Sequence, residues 1–291
     1  MLAPGERRTG SVDVDGHRVA VEVRGAEGAG ERAGAPGGQP PLLLVNGVGG
    51  GRSLWEPLRA HLPPGTATIA YDAPGCGASE PARGLLSVRG HARVAAAALA
   101  WAGARRADVL GFSFGGMVAQ QLALDAPGSV RRLVLVATGL GVGSVPGSPL
   151  AYALLAAPRM ADPQWLRSAA PWVFGGRIAR AGRDAARHAA HFAEPVHPPS
   201  YVGQLQAALG WSSLPWLGRL RQPTLVVAGD EDPLVPACNA RLLAALIPSA
   251  RAHVVRGGGH LALVDSPEEV APVLTRFLTA AAPERVGAGR A

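Results

Sequence analysis

Apolar residues fall into two spacings along this chain, and the alternation between them predicts most of its elements. Short, mainly apolar runs at residues 42–45, 67–71, 107–110, 133–137, 224–228 and 252–255 have strand length. Where the run is unbroken, as at Leu42-Leu43-Leu44-Val45, it suits a strand buried on both faces, as in a parallel sheet. Between them lie stretches with helical spacing, at 53–62, 88–101, 117–124 and 239–247. Near the start, residues 9–14 and 18–23 flank Asp15-Gly16, a dipeptide suited to the type I′ turn of a hairpin. Near the end, Ser266-Pro267-Glu268-Glu269 opens a last helix, with Ser at the N-cap, Pro at N1 and Glu at N3. Strands alternating with helices predict the α/β class: a mostly parallel wound sheet with helices on both faces.

The alternation stops after Thr138 and resumes near 222. Residues 139–221 hold four of the six tryptophans (Trp165, Trp172, Trp211, Trp216), many prolines and alanine-rich helical stretches. The predicted organisation is one core, residues 1–138 and 222–282, carrying a helical lid at 139–221. Residues 25–41 are mostly Gly, Ala, Pro and Glu with almost nothing to bury, and read as a flexible surface loop. Residues 283–291 read as a disordered tail.

Composition narrows the function classes. With 291 residues, 48% of them hydrophobic, the chain can bury one large core. No apolar run reaches the ~18–20 residues of a membrane span. The N-terminal stretch lacks the basic-then-apolar order of a secretion signal. Cys76 and Cys238 are far apart and outside any metal spacing, which fits free thiols in a reducing cytoplasm. The net charge is +7 and all 28 basic residues are arginine, scattered singly or in pairs with no nucleic-acid arm. A cytoplasmic protein follows, with no nucleic-acid partner and no transmembrane segment; its oligomeric state is not encoded in any visible pattern.

Candidate chemistry centres on Gly111-Phe112-Ser113-Phe114-Gly115, a G-x-S-x-G set between the strand at 107–110 and the helix at 117–124. Strand, G-x-S-x-G and helix together make a nucleophile elbow, which lifts a serine hydroxyl clear of the sheet edge. A serine hydroxyl needs a base, and the base needs an acid to orient it. In chain order the acid follows the serine and the histidine follows the acid. Asp232, a short turn beyond the strand at 224–228, fits the acid best. Asp230 is its rival and could instead brace the turn through its own backbone. The loop after the preceding strand, Ala137-Thr138-Gly139, carries no carboxylate. Of the two later histidines, His253 lies within a strand, whereas His260 follows Gly257-Gly258-Gly259 in a loop and is the expected base. Two N–H groups are expected to form an oxyanion hole: that of Phe114, and that of Val48 in the Asn46-Gly47-Val48-Gly49 loop. Cys76 has no histidine partner of this kind, and Asp72-Ala73-Pro74-Gly75-Cys76-Gly77-Ala78-Ser79 reads as a structural turn beside the site.

These motifs resemble the α/β-hydrolase family over about residues 10–280. A closer likeness is to intracellular poly(3-hydroxyalkanoate) depolymerases of the medium-chain-length type. It rests on Asn46-Gly47, Val145-Pro146-Gly147-Ser148-Pro149, Ala157-Pro158-Arg159, the stretch from Gly210 to Leu217 and that from Gln222 to Pro236. Phe114 departs from that group's common tryptophan, and Gly257-Gly258 from its more polar approach to the histidine. The resemblance implies a cytoplasmic serine esterase, without cofactor or metal, acting on a hydrophobic aliphatic polyester or related ester. Its lid would line the acyl pocket, with Trp211 and Trp216 as substrate-binding residues, and could rest on a polyester granule. Two other readings share these residues: a hydrolase of a small soluble ester or lactone, and a hydrolase-like binding protein without turnover.

Overall fold

The computed structural model describes residues 6–25, 39–157, 163–181 and 194–281. Of the loop expected over 25–41, residues 26–38 lie outside the described residues, as does the tail expected over 283–291. Eight strands form one sheet in the order β1-β2-β4-β3-β5-β6-β7-β8. They are β1 (Arg7–Val14), β2 (His17–Arg24), β3 (Leu42–Val45), β4 (Thr68–Tyr71), β5 (Ala107–Phe112), β6 (Val130–Val136), β7 (Thr224–Gly229) and β8 (Ala250–Val255). β1 pairs with β2, and β2 with β4, antiparallel; every pairing from β4 to β8 is parallel. The β1–β2 turn has positive φ at Asp15 (52°) and Gly16 (79°), as a type I′ turn requires.

Period-two alternation sends each apolar strand into two cores. Leu42 and Leu44 of β3 face one; Leu43 and Val45 face the other. On the first side pack α1 (Glu56–Arg59), through Leu58, and α9 (Pro267–Thr279), through Val270, Leu274 and Phe277. On the second pack α2 (Val88–Trp101), α3 (Phe114–Asp125) and α8 (Cys238–Leu246). Each fully buried Leu or Val on these faces contributes roughly 1.5–3 kcal/mol, which holds the strand ends, and any loop leaving them, in place.

Between β6 and β7 lie α4 (Pro149–Leu155), α5 (Pro163–Phe174), α6 (Gly176–Arg180) and α7 (Pro198–Leu209). These helices are rooted in the sheet's own core: Ala170, Val173, Phe174 and Ile178 are buried with the β3 and β6 side chains of the first face. The last helix differs from expectation in one detail. Ser266 has φ −139° and ψ 41°, and its side chain makes no cap bond to the helix. Its hydroxyl donates to Asp265 Oδ1 instead (2.8 Å). Glu268 and Glu269 are drawn outward into ion pairs with Arg177 of α6. Among the described residues, no helix is long and apolar enough to cross a membrane.

Candidate active site

Ser113 stands between the last residue of β5 and the first of α3, with φ 54° and ψ −120°. Side chains rarely adopt that conformation, and the neighbours impose it. A Cβ on Gly111 would strike the Gly115 carbonyl, and one on Gly115 would strike the Val45 carbonyl of β3. Strand and helix therefore close on each other only because both positions are glycine. The Ser113 N–H donates to Val136 O of β6 (2.9 Å), fixing the turn to the sheet.

The loops after β7 and β8 bring the other two side chains to this turn. His260 Nδ1 donates to Asp232 Oδ2 (2.8 Å), and the Ser113 hydroxyl donates to His260 Nε2 (3.0 Å). The tautomer follows from the acid. Asp232 Oδ1 already accepts the Leu234 and Val235 N–H groups (2.8 and 2.9 Å), so the carboxylate is an acceptor throughout and Nδ1 must carry the proton. Nε2 is then free to accept from the serine. The His260 and Asp232 side chains are 4% and 0% exposed, which keeps water from competing for the bond between them. Phe174 stacks on the imidazole at 13° and 6.4 Å, Phe112 tilts against it at 5.1 Å, and the His260 N–H donates to Phe174 O (2.7 Å). Such a relay can deprotonate a serine hydroxyl as it attacks.

Asp230 points elsewhere: its Oδ1 accepts the Gly257 N–H (2.6 Å), bracing the glycine run ahead of His260. Glu231 pairs with Arg180. His253 lies in β8, in register with Val227 of β7. Cys76 is buried, and burial pushes its thiol up to about 11, so it stays protonated at neutral pH.

The loop 46–49 lies against the serine; a Cβ on Gly47 would stand 3.3 Å from Ser113 Cβ. Among the described residues, neither the Val48 N–H nor the Phe114 N–H has an internal acceptor. Two side chains absent from the sequence-based expectations tie this loop down. Gln204 of α7, 1% exposed, accepts the Gly49 N–H (2.9 Å), and Glu194 accepts the Ser53 N–H (2.9 Å).

A cavity of about 480 Å³ opens above Val48, Ser113 and His260. Its walls are largely apolar: Leu85, Leu155, Phe174, Val196, Tyr201, Val202 and Leu234. Tyr201 is fixed by its hydroxyl, which donates to Leu155 O (2.7 Å). The two expected substrate-binding tryptophans are not among the lining residues. Trp211 packs beside the second core and donates Nε1–H to Gln121 of α3 (2.8 Å). Trp216 is 43% exposed, with the Arg219 guanidinium 5.1 Å from its ring centre. The walls come instead from the 82–86 loop, α4, α5, α7 with Val196 just ahead of it, and Leu234 in the loop after β7. No single motif marks them, since these segments meet only through packing.

This fold and geometry define a class. Residues 40–267 match the family described as alpha/beta hydrolase fold, and the chain belongs to it: it is a hydrolase of the α/β-hydrolase family. Within that class it is 40% identical over 239 residues to the poly(3-hydroxyalkanoate) depolymerase of Ectopseudomonas oleovorans, covering 82% of this chain and 84% of that protein. A hydrolase from Pseudomonas aeruginosa PA01 is similar in structure, with a TM-score of 0.76 and 25% identity over 94% of this chain and 98% of that one. The enol-lactonase of Burkholderia xenovorans LB400 superposes with a TM-score of 0.78 over 93% of this chain and 100% of that one, at 21% identity, a likeness of fold.

Proposed function

We propose that the protein is a serine esterase that hydrolyses ester bonds of an intracellular aliphatic polyester, a poly(3-hydroxyalkanoate), through an acyl-enzyme. The observation that carries this reading is the Asp232–His260–Ser113 hydrogen-bond chain at the floor of a large apolar cavity. The 40% identical depolymerase supports the choice of substrate.

In this reading the Ser113 hydroxyl attacks the ester carbonyl while His260 Nε2 takes its proton. The Val48 and Phe114 N–H groups receive the developing oxyanion; neither has an acceptor among the described residues, which leaves both available for it. Asp232 holds the imidazolium and its tautomer. His260 then gives the proton to the departing alcohol, whose C–O bond breaks to leave the acyl group on Ser113 Oγ. Water, activated by the same imidazole, hydrolyses that ester and restores the serine. The helices between β6 and β7 serve as a lid that carries the acyl wall, and the enzyme works in the cytoplasm at the surface of a polyester granule.

Incubating the purified protein with a polymer emulsion and with p-nitrophenyl esters, beside Ser113→Ala, tests this. Both substrates should turn over, with a loss of roughly 10⁴ or more in the variant, and a fluorophosphonate should label Ser113. Turnover retained in Ser113→Ala, or polymer binding without turnover in the parent protein, refutes it.

A further inference from the structure

A second cavity, of about 270 Å³, lies beside the first, and Leu85 and Pro199 line both. At ~30 Å³ per water molecule in the liquid, the space exceeds what one bound water fills. One polar side chain in its wall has unspent hydrogen-bonding capacity. His91, in the first turn of α2, is 4% exposed, and its ring has no hydrogen-bond partner among the described residues. The edge of that ring packs against Phe114 at 87° and 5.1 Å, one residue beyond the nucleophile.

Three of the other polar side chains here have partners of their own. His197 Nδ1 pairs with Ser200 Oγ (3.1 Å). Gln204 accepts from Gly49 and donates to Cys76 Sγ (3.4 Å). Arg83 contributes to the wall, but its guanidinium carbon lies 3.5 Å from where a Gly16 Cβ would stand, over the β1–β2 turn. Burial pushes His91 down to about 4, so the ring is neutral at pH 7. A neutral imidazole offers one donor and one acceptor, the complement of an alcohol, whereas a carboxylate would use only the donor.

We propose that this second cavity is a subsite for an uncharged hydroxyl group, with His91 as its recognition residue: the free hydroxyl end of a hydroxyacyl chain whose ester lies at Ser113. The inference rests on the esterase reading and adds to it a preference for chain ends. A chain running over the Leu85–Pro199 divide would place its ester in the first cavity and its hydroxyl in the second.

The test uses full-length Ser113→Ala, which holds ligand without consuming it. Its affinity is measured for the methyl ester of a 3-hydroxyoctanoate dimer and for the same dimer with the terminal hydroxyl replaced by hydrogen. The hydroxyl compound should bind about tenfold more tightly, the equivalent of one good hydrogen bond. Adding His91→Phe should bring the ratio to about one, and His91→Gln should restore part of it. The His91 ring nitrogen resonances should move with the hydroxyl compound alone. Equal affinities, or unmoved His91 resonances, overturn the subsite even if the His91 variants fail to fold. Polymer turnover retained in Ser113→Ala would refute the esterase reading, a separate result.

Discussion

The loops at the strand ends and the helices between β6 and β7 build the two halves of the site by different rules. Ser113, Asp232 and His260 each follow the end of a parallel strand, so the sheet register fixes their relative positions to within hydrogen-bond distance. The apolar wall has no such register. Leu85, Leu155, Phe174 and Tyr201 come from four segments whose arrangement depends on side-chain packing. The difference teaches that the reaction is anchored in the part of the fold least free to drift. In the proposed function, substrate fit falls to the part of the site that the sheet register does not fix. Gln204 and Glu194 join the halves by binding the 46–53 loop from the wall side.

The largest expected effect falls on the strand-end half. Asp232→Asn should preserve the fold and lower kcat by about 10⁴, because the neutral amide no longer selects the Nδ1–H tautomer. Asp230→Asn should act on stability through the Gly257 N–H contact, with kcat changed far less. Kinetics and melting curves on the pair decide the assignment; reversed losses would make Asp230 the acid.

A smaller effect, confined to long substrates, is expected on the other half. Val202 lines the cavity and is 49% exposed, so Val202→Trp can narrow the cavity without breaking the core. Excluding two methylenes at ~0.8 kcal/mol each should cost about 15-fold in kcat/KM for medium-chain esters. Butyrate turnover should stay nearly constant. A uniform loss across all chain lengths would mean that the two halves are not separable.

Smaller still are the tryptophan effects. Trp211→Ala removes a half-buried ring and its bond to Gln121, and should cost about 2 kcal/mol of stability. Trp216→Ala, at an exposed site, should stay within about 0.5 kcal/mol. Neither should alter the chain-length profile; a flattened profile in either variant would put these rings in the substrate's path.

What the sequence disclosed follows the same division. Short, mainly apolar runs marked the strands because the inner ones are buried on both faces, and the elbow motif marked the turn because only glycine allows the approach of β5 to α3. The loops carrying Asp232 and His260 were legible by their place after the last two strands. The wall was not. Tryptophan is apolar wherever it packs, so the density of tryptophan in 139–221 could not tell a cavity lining from a strut such as Trp211. Gln204 and His91 looked like ordinary helical residues, since what distinguishes them is a neighbour far away in the chain. Ser266 had the composition of a cap, but its hydroxyl is drawn to Asp265.

The central claim is that a serine relay at the strand ends works beneath an acyl cavity walled by the inserted helices. The direct measurement is kcat/KM for a series of p-nitrophenyl esters from acetate upward, with polymer emulsion turnover followed in the same preparation. The predicted result is a climb of up to about fourfold per methylene, persisting into medium chains and levelling where the cavity ends, together with turnover of the polymer. A flat series beyond butyrate, with the polymer left intact, would contradict it.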